Sequence, residues 1–223
     1  MADLNGHVAA ITGVSGDLGG SVRKAFLAAA AVVVGIGRSA SNEIKADLSS
    51  GDSAIAAMKA AHAVHGRLDS LIHLVGSFAG GVELADEAPA TFDAMFDVNV
   101  RSAFYAIRAV TPLMCSAGQG RMVLVASRAA VEPSPHAALY GASKAALVAL
   151  TRSVAAENRQ HRITANVVMP GTMDMPKNRA AMPKADYSKW VKPSQVADVI
   201  VFLASSAAES ISGAAIPIFG SDV

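Results

Sequence analysis

Disulfides, strong charge and long apolar runs are all missing from this sequence of 223 residues. Cys115 is the single cysteine, so no disulfide can form within the chain, which agrees with a reducing compartment. The formal net charge is +1 and neither sign is concentrated in a block. Charge therefore gives no reason to expect nucleic acid or an anionic membrane as a partner.

Signals for membrane insertion and secretion are missing too. The most apolar stretch, residues 25–36, is too short to cross a bilayer. Near the start of the chain, Asp3, Asn5 and His7 interrupt the charged-then-apolar pattern of a secretory signal. We therefore expect no membrane partner and a cytoplasmic location.

What the sequence does have is short β-branched runs that alternate with longer Ala-rich amphipathic stretches. The predicted strands cover residues 7–12, 31–35, 44–46, 71–75, 121–126, 163–168 and 215–219. The predicted helices cover residues 18–30, 53–65, 89–116, 139–161 and 194–205. This alternation predicts an α/β fold over residues 1–223: a single doubly wound parallel sheet of the Rossmann type with helices on both faces. Residues 38–47 are too few for a crossover helix, so the second and third strands should be joined compactly.

A glycine-rich segment, residues 12–19, connects the first strand to the first helix. Glycines allow a tight turn and the close approach of a pyrophosphate, and the start of the helix offers free N–H groups to that anion. A plain glycine-rich turn is the alternative interpretation. The predicted phosphate-binding residues are Gly13, Ser15, Gly16, Asp17 and Leu18.

The end of the second strand should lie beside the adenosine ribose of a bound dinucleotide. Arg38 follows this strand, and no acidic residue occupies positions 34–39. An arginine there favours the 2′-phosphate of NADP(H), with NAD(H) as the alternative cofactor. Asp47 and Leu48 follow the third strand and would contact the adenine. A solvated surface arginine and a simple turn aspartate are the competing interpretations.

Tyr140 and Lys144 are four residues apart at the start of a predicted helix, which places both side chains on one face. A phenol titrates near ~10, and a neighbouring ammonium favours the phenolate. Ser127 follows the strand that precedes this helix, where side chains face a ligand. Alone, a tyrosine and lysine at this spacing are often incidental, and Ser127 would serve equally as a turn residue.

Together these motifs resemble those of the short-chain dehydrogenase/reductase family over essentially the whole chain. The matching residues are Thr12, Gly13, Gly19, Asp47, Asn99, Ser127, Tyr140, Lys144, Pro170 and Gly171. The resemblance implies that Tyr140 exchanges a proton with the substrate oxygen and that Ser127 hydrogen-bonds this oxygen. It also implies that Lys144 lowers the pKa of Tyr140 and binds the nicotinamide ribose, and that Asn99 holds a water linking Lys144 to solvent.

The resemblance further places Gly76 near the ribose and Pro170, Gly171 and Thr172 against the nicotinamide. The sequence departs from the common family pattern at three places. Asp17 stands where a glycine is usual, His73-Leu74-Val75-Gly76 replaces Asn-Asn-Ala-Gly, and Met175 replaces a threonine. The first and third departures bear on cofactor geometry, whereas the second retains Gly76.

Residues 76–81 and 175–190 look like the corresponding segments of quinonoid dihydropteridine reductases, a branch of the same family. That branch typically lacks the serine and asparagine and carries an aspartate after the second strand. This chain instead has Ser127, Asn99 and Arg38. The sequence is therefore interpreted as a relative of that branch with the full carbonyl-reducing set.

These observations predict an NAD(P)(H)-dependent enzyme that moves a hydride between nicotinamide and a small carbonyl or alcohol, with residues 172–192 forming the substrate loop. A pterin-like substrate is the first alternative, and a catalytically silent dinucleotide sensor is the second. No metal site is expected, because His62 and His65 have no further ligand at suitable spacing. The Ala-rich helices 89–116 and 139–161 predict a homodimer or homotetramer.

Overall fold

The computed structural model describes residues 3–221, and its seven strands form one sheet in which every neighbouring pair is parallel. The order across the sheet is β3-β2-β1-β4-β5-β6-β7. The strands are β1 (Val8–Thr12), β2 (Val32–Gly37), β3 (Ile44–Lys45), β4 (Ser70–His73), β5 (Gly120–Val125), β6 (Ile163–Pro170) and β7 (Ala215–Ile218). Of the predicted range 1–223, residues 1, 2, 222 and 223 lie outside the described residues.

Helices cover both faces of this sheet, which confirms the predicted doubly wound architecture. They are α1 (Asp17–Ala28), α2 (Gly51–His65), α3 (Pro89–Phe96), α4 (Ser102–Ala117), α5 (Ala138–Glu157), α6 (Pro176–Ala181) and α7 (Pro193–Ala204). Within residues 3–221, no helix is long and apolar enough to cross a membrane. The cytoplasmic location stays a prediction.

Alternating strand residues supply the two halves of the core. Leu71 and Leu124 face a cluster formed with α2, α4 and α5, whereas Ile72 and Val123 face a second cluster formed with α1 and α7. This two-sided burial explains why the strands read as nearly continuous apolar runs. The order of connections reverses between β1 and β4, and a ligand crevice is expected beyond the carboxyl ends of these strands.

The connection between β2 and β3 contains no helix, as predicted from its length. Glu43 in this connection accepts a hydrogen bond from the Gly35 N–H at 2.7 Å and pairs with Arg23 of α1. A Cβ on Gly35 would lie 2.5 Å from the Glu43 carboxylate, so a glycine is needed there. The Glu43 carboxylate therefore connects this short segment to both β2 and α1, although the connection has no crossover helix.

The prediction of a single long helix over residues 89–116 is wrong in one respect. A π-helical turn, Asp97–Arg101, separates α3 from α4, and the Ser102 N–H bonds back to the Asp97 carbonyl, five residues earlier. The extra residue in this turn changes the direction of the side chains within it. Asn99 lies in this turn and is fully buried.

Candidate active site

The segment after β1 has the geometry of a phosphate cradle. Gly13 has φ +73°, and a Cβ there would lie 3.0 Å from the backbone nitrogen of Val75. Gly16 caps α1 without a side-chain hydrogen bond, so the first-turn N–H groups of α1 have no capping side chain. Ser15 and Asp17 are exposed, whereas Leu18 is buried in the core. The backbone of this segment fits a pyrophosphate.

Arg38 and Asp47 lie on the same side of the crevice, because β2 and β3 are paired just before them. The Asp47 carboxylate accepts hydrogen bonds from the Ser49 N–H at 3.0 Å and the Ser49 hydroxyl at 2.9 Å. These bonds, and to a smaller extent the charge of Arg38, lower the pKa of Asp47. Asp47 thus forms hydrogen bonds within a turn and lies within electrostatic range of Arg38, and its contact with the adenine stays a prediction. Leu48 is buried.

Tyr140, Ser127 and Lys144 come together at the carboxyl end of β5. Ser127 follows this strand, and Tyr140 is in the first turn of α5, where its phenol is near enough to the Ser127 hydroxyl for that group to act on its pKa. The Ser127 hydroxyl oxygen also accepts the Ala129 N–H at 3.2 Å, which orients it. Burial raises the pKa of Tyr140, and the Ser127 hydroxyl opposes that rise.

Lys144 is buried one helical turn after Tyr140. Its Nζ donates to the Val125 carbonyl at 3.0 Å and lies 5.9 Å from the centre of the Tyr140 ring. Burial lowers the pKa of Lys144 to about 8. The Lys144 ammonium is directed to the Val125 carbonyl and desolvation dominates the pKa of the Tyr140 phenol, so the lowering of this pKa by Lys144 stays a prediction.

Asn99 joins the loop after β4 to α5. Its Oδ1 accepts the Ser77 N–H at 3.0 Å, and its Nδ2 donates to the Ser77 carbonyl at 3.1 Å and to the Ser143 hydroxyl at 3.0 Å. Ser143 in turn donates to the Tyr140 carbonyl at 2.8 Å. A Cβ on Gly76 would lie 2.9 Å from both the Asn99 Oδ1 and the Lys144 Nζ, so Gly76 permits this approach. That Asn99 holds a water stays a prediction.

His73 is a site residue whose contacts sequence reasoning missed. Its Nδ1 lies 2.9 Å from the Thr12 hydroxyl, and its Nε2 lies 3.2 Å from the Ser102 hydroxyl. Ser102 donates its only proton to the Val98 carbonyl at 2.6 Å, so it must accept from Nε2, and Nδ1 must accept from Thr12. Burial, with a smaller contribution from the charge of Lys144, lowers the pKa of His73 to about 3. A neutral imidazole thus links the phosphate segment to the π-helical turn.

The segment after β6 forms the remaining wall of the candidate active site. Pro170 ends the strand, and the Gly171 N–H donates to the Ile218 carbonyl at 2.9 Å. The Thr172 carbonyl accepts the Val191 N–H at 2.9 Å, which closes residues 172–192 into a loop containing α6. Within residues 3–221, no cluster of three or more His, Cys, Asp or Glu side chains is arranged to hold a metal ion.

Comparison with known proteins agrees with this geometry. A family model described as enoyl-(acyl carrier protein) reductase matches residues 19–220. The chain therefore belongs to the short-chain dehydrogenase/reductase family, a family of oxidoreductases with this fold.

Individual relatives support the same assignment. The chain is 30% identical to the uncharacterized oxidoreductase YvrD of Bacillus subtilis, with 92% of each protein covered. It is 29% identical to 2-(R)-hydroxypropyl-CoM dehydrogenase of Xanthobacter autotrophicus, over 96% of this chain and 97% of the relative. A short-chain dehydrogenase/reductase structure from Serratia marcescens superposes with a TM-score of 0.88 at 31% identity, covering 98% of each chain. The quinonoid dihydropteridine reductase branch stays a prediction.

Proposed function

We propose that this protein uses a nicotinamide dinucleotide, preferably NADP(H), to interconvert a carbonyl and an alcohol. The observation that carries the proposal is the placement of Tyr140 near Ser127, with the Nζ of the buried Lys144 5.9 Å from the centre of the Tyr140 ring. This pair lies at the carboxyl end of β5, in the part of a doubly wound sheet where ligands bind. The phosphate cradle after β1 opens at the same edge of the sheet.

A bound nicotinamide supplies or accepts the hydride, and the protein positions and polarises the substrate. The Tyr140 phenol donates its proton to the carbonyl oxygen during reduction and removes it during oxidation. The Ser127 hydroxyl donates a hydrogen bond to the same oxygen as charge develops on it. Lys144, whose pKa burial lowers to about 8, binds the nicotinamide ribose and returns the proton to Tyr140.

The remaining predicted residues hold this arrangement and the cofactor. Asn99 fixes the backbone of Ser77 and, through Ser143, the first turns of α5, and it holds the water through which Lys144 exchanges protons with solvent. Gly13, Gly16 and the first turn of α1 receive the pyrophosphate. Pro170, Gly171 and Thr172 pack against the nicotinamide, and residues 172–192 form the substrate loop.

Arg38 supports the preference for NADP(H). Its guanidinium is exposed, and within the described residues no carboxylate lies within 4 Å of it. A planar guanidinium can meet a phosphate with two parallel hydrogen bonds. The 2′-phosphate of the adenosine ribose therefore has a ready cationic partner at the end of β2.

The mouth of the site favours an apolar substrate. Phe78 (60% exposed), Leu84 (62%) and Val131 (52%) extend from the loops after β4 and β5, and Met182 extends from the loop after β6. Phe78 packs edge-on against Tyr140, with 5.0 Å between ring centres. Exposed apolar side chains on loops at one edge of the sheet indicate a binding surface. We infer a ketone or secondary alcohol with a hydrophobic substituent.

A dimer or tetramer is part of the proposal. Phe92 and Phe96 stack on α3, and Phe92 and Phe104 are each 46% exposed on α3 and α4. Exposed aromatic side chains of this kind suit the core of a symmetric interface. Sedimentation velocity at micromolar concentration should show a homodimer or homotetramer, and a monomer would contradict this part of the proposal.

A turnover screen tests the function. NADPH and NADH consumption would be measured with ketones of increasing apolar chain length and with a quinonoid dihydropterin. We expect turnover of ketones, with kcat/KM rising with chain length and higher with NADPH. Turnover of the dihydropterin alone would move the protein to the pterin branch. Cofactor binding without turnover of any substrate would favour the sensor.

A further inference from the structure

The amino-terminal edge of the sheet contains a cavity of about 470 Å³ that the proposed reaction does not use. Its walls come from the start of β5, the turn before β6 and the segment after α7, and we call it the basal cavity. The side chains that matter are Arg121, Arg159, Arg162, Thr164 and Glu209. Strand β5 is six residues long, so this cavity lies about 20 Å from the Tyr140 site at ~3.3 Å per residue.

The basal cavity has an excess of positive charge. Three guanidinium groups face one carboxylate, and within the described residues none of the three has a carboxylate within 4 Å. Backbone carbonyls orient two of them instead. Arg121 donates to the carbonyls of Gly120 at 3.0 Å and Arg162 at 3.2 Å, and Arg162 donates to the carbonyl of Gly118 at 3.0 Å. Such contacts fix the guanidinium groups without neutralising them.

Burial and two neighbouring charges act on Arg121 in the cavity. Burial is the main cause that lowers the pKa of Arg121, and the neighbouring charge of Arg162 lowers it further. The charge of Glu209 opposes both, but it does not form an ion pair with Arg121. Glu209 therefore offsets the repulsion between Arg121 and Arg162, and the excess of positive charge lies in the three guanidinium groups that line the cavity with this one carboxylate.

Two residues that line the cavity each have a buried polar atom without a hydrogen-bond partner. The Thr164 side chain is only 5% exposed, and its Oγ1 is unpaired, as is the buried Nε of Arg121. The Nε–H can only donate, and a threonine hydroxyl can also donate. Native proteins rarely leave such buried groups unpaired. What is missing at this place is an acceptor of hydrogen bonds.

We propose that the basal cavity binds an oxyanion of the phosphate class through Arg121, Arg159, Arg162 and the Thr164 hydroxyl. A phosphate group offers several acceptor oxygens and up to two negative charges, which matches the guanidinium groups and the unpaired donors. A rotation of the Thr164 side chain and a small shift of Arg121 bring their buried donors to the anion. The cavity is larger than a bare phosphate, so it accommodates either inorganic phosphate or the phosphate of a monoester.

The first experiment measures binding of inorganic phosphate by calorimetry and thermal unfolding, at constant ionic strength balanced with chloride. The titration is repeated in Arg38→Ala, because Arg38 would bind phosphate at the cofactor site. We expect phosphate to bind and to raise the Tm in both proteins. No response beyond the chloride control, or a response lost in Arg38→Ala, would overturn the proposal.

Variants then locate the site. Arg162→Gln, at an exposed position, and Arg121→Gln should each weaken phosphate binding roughly tenfold or more, the effect of a lost charge-assisted hydrogen bond. Thr164→Val should fold normally and weaken binding as well. Lys59→Gln removes one exposed positive charge on α2, outside the cavity, and should leave binding unchanged. Equal phosphate affinity in Arg162→Gln, Thr164→Val and the native protein would show that the cavity holds only water.

A final titration distinguishes the two sources of the phosphate group, inorganic phosphate and a phosphate monoester. Glucose 6-phosphate would be titrated beside inorganic phosphate, in the native protein and in Arg162→Gln. Tighter binding of the monoester, lost in the variant, assigns the cavity to a phosphorylated metabolite. Equal affinities, both lost in the variant, assign it to free phosphate. Insensitivity of both affinities to Arg162→Gln would contradict the site.

Discussion

The two edges of the sheet hold their polar side chains in different ways. At the carboxyl edge, Asn99, Ser143 and His73 are fully buried, and each forms hydrogen bonds with named partners. At the amino edge, Arg121 and Thr164 each leave a buried polar atom without one. A buried polar group stabilises a fold only when it is paired. The part of the carboxyl edge around Tyr140 is therefore preorganised before any ligand binds, whereas the amino edge at the basal cavity is incomplete without an acceptor.

This difference also separates two kinds of binding site. The fixed positions at the carboxyl edge suit chemistry, because a proton donor must be placed before the reaction begins. The arginines of the basal cavity are oriented by backbone carbonyls but keep their charge, which suits binding without chemistry. Variants at each edge can therefore be tested separately.

The largest effect is expected where the carboxyl edge meets the substrate. Tyr140→Phe removes the phenol proton and leaves the ring packed against Phe78, so turnover should fall by ~10²–10⁴-fold while cofactor binding persists. Steady-state kinetics with the best ketone and a cofactor titration would measure both. Tyr105→Phe, on α4, removes a phenol away from the site and should leave turnover intact. Near-native turnover in Tyr140→Phe would show that another group is the acid.

The second effect concerns the neutral His73 that joins Thr12 to the π-helical turn. Its folded pKa is about 3, below the ordinary value of 6.5. Between these values the unfolded state binds more protons, so the free energy of unfolding rises with pH, by about 1.4 kcal/mol per pH unit from this one group. The stability cost of keeping His73 neutral is absent above pH 6.5 and grows as the pH falls toward 3.

His73→Asn tests this link because asparagine retains a donor and an acceptor but does not titrate. Urea unfolding from pH 4 to 6 should show a shallower pH dependence in the variant, by about 1.4 kcal/mol per unit relative to the native protein. His7 and the carboxylates titrate in both proteins and cancel in the difference. His62→Asn, on the surface of α2, is the control. A flat difference curve would mean that His73 is accessible to protons in the folded state.

These residues also show what the sequence could and could not predict. The parallel sheet followed from apolar periodicity, and the segment after β1, with Ser127, Tyr140 and Lys144, followed from local spacing along the chain. The inward turn of Asn99 did not follow, because the π-helical turn is stabilised by contacts with Ser77 and Ser143, which are distant in sequence. The periodicity of residues 89–116 favours an unbroken helix, and tertiary contacts override it.

The hydrogen bonds of His73 and the basal cavity could not be predicted from the sequence for a different reason. His73 meets Thr12 across 61 positions and Ser102 across 29, so no short pattern marks the three residues as partners. Arg121, Arg159 and Arg162 read individually as ordinary surface arginines. Only the register of β5 against β6 brings Arg121 beside the turn that carries Arg162. Unpaired atoms such as the Thr164 hydroxyl are visible only in the folded structure.

The third effect concerns Arg38, which resembles the basal arginines because it lacks an ion pair within the described residues. If it binds the 2′-phosphate, Arg38→Asp should reverse the cofactor preference. Loss of a charge-assisted hydrogen bond of ~1.5–3 kcal/mol corresponds to a roughly ten- to hundredfold decrease in kcat/KM for NADPH. Kinetics with both cofactors would measure the ratio, with Lys24→Asp on α1 as the charge control. An NADH preference that Arg38→Asp leaves unchanged would make Arg38 a surface residue.

The smallest effect compares the two edges directly through a matched pair of hydroxyl deletions. Ser143→Ala removes the acceptor of the Asn99 Nδ2 proton and the donor to the Tyr140 carbonyl, so the free energy of unfolding should fall by about 1–3 kcal/mol. Thr164→Val removes a buried hydroxyl that has no partner and keeps the shape of the side chain. In phosphate-free buffer this change should be neutral or stabilising, because no hydrogen bond is lost and an unpaired polar group is removed. Urea unfolding with unchanged m-values would report both differences on one scale.

If Thr164→Val destabilised the protein as much as Ser143→Ala, the Thr164 hydroxyl would already be hydrogen-bonded in solution. The two edges would then be equally well paired, and the basal cavity would lose the observation that sets it apart.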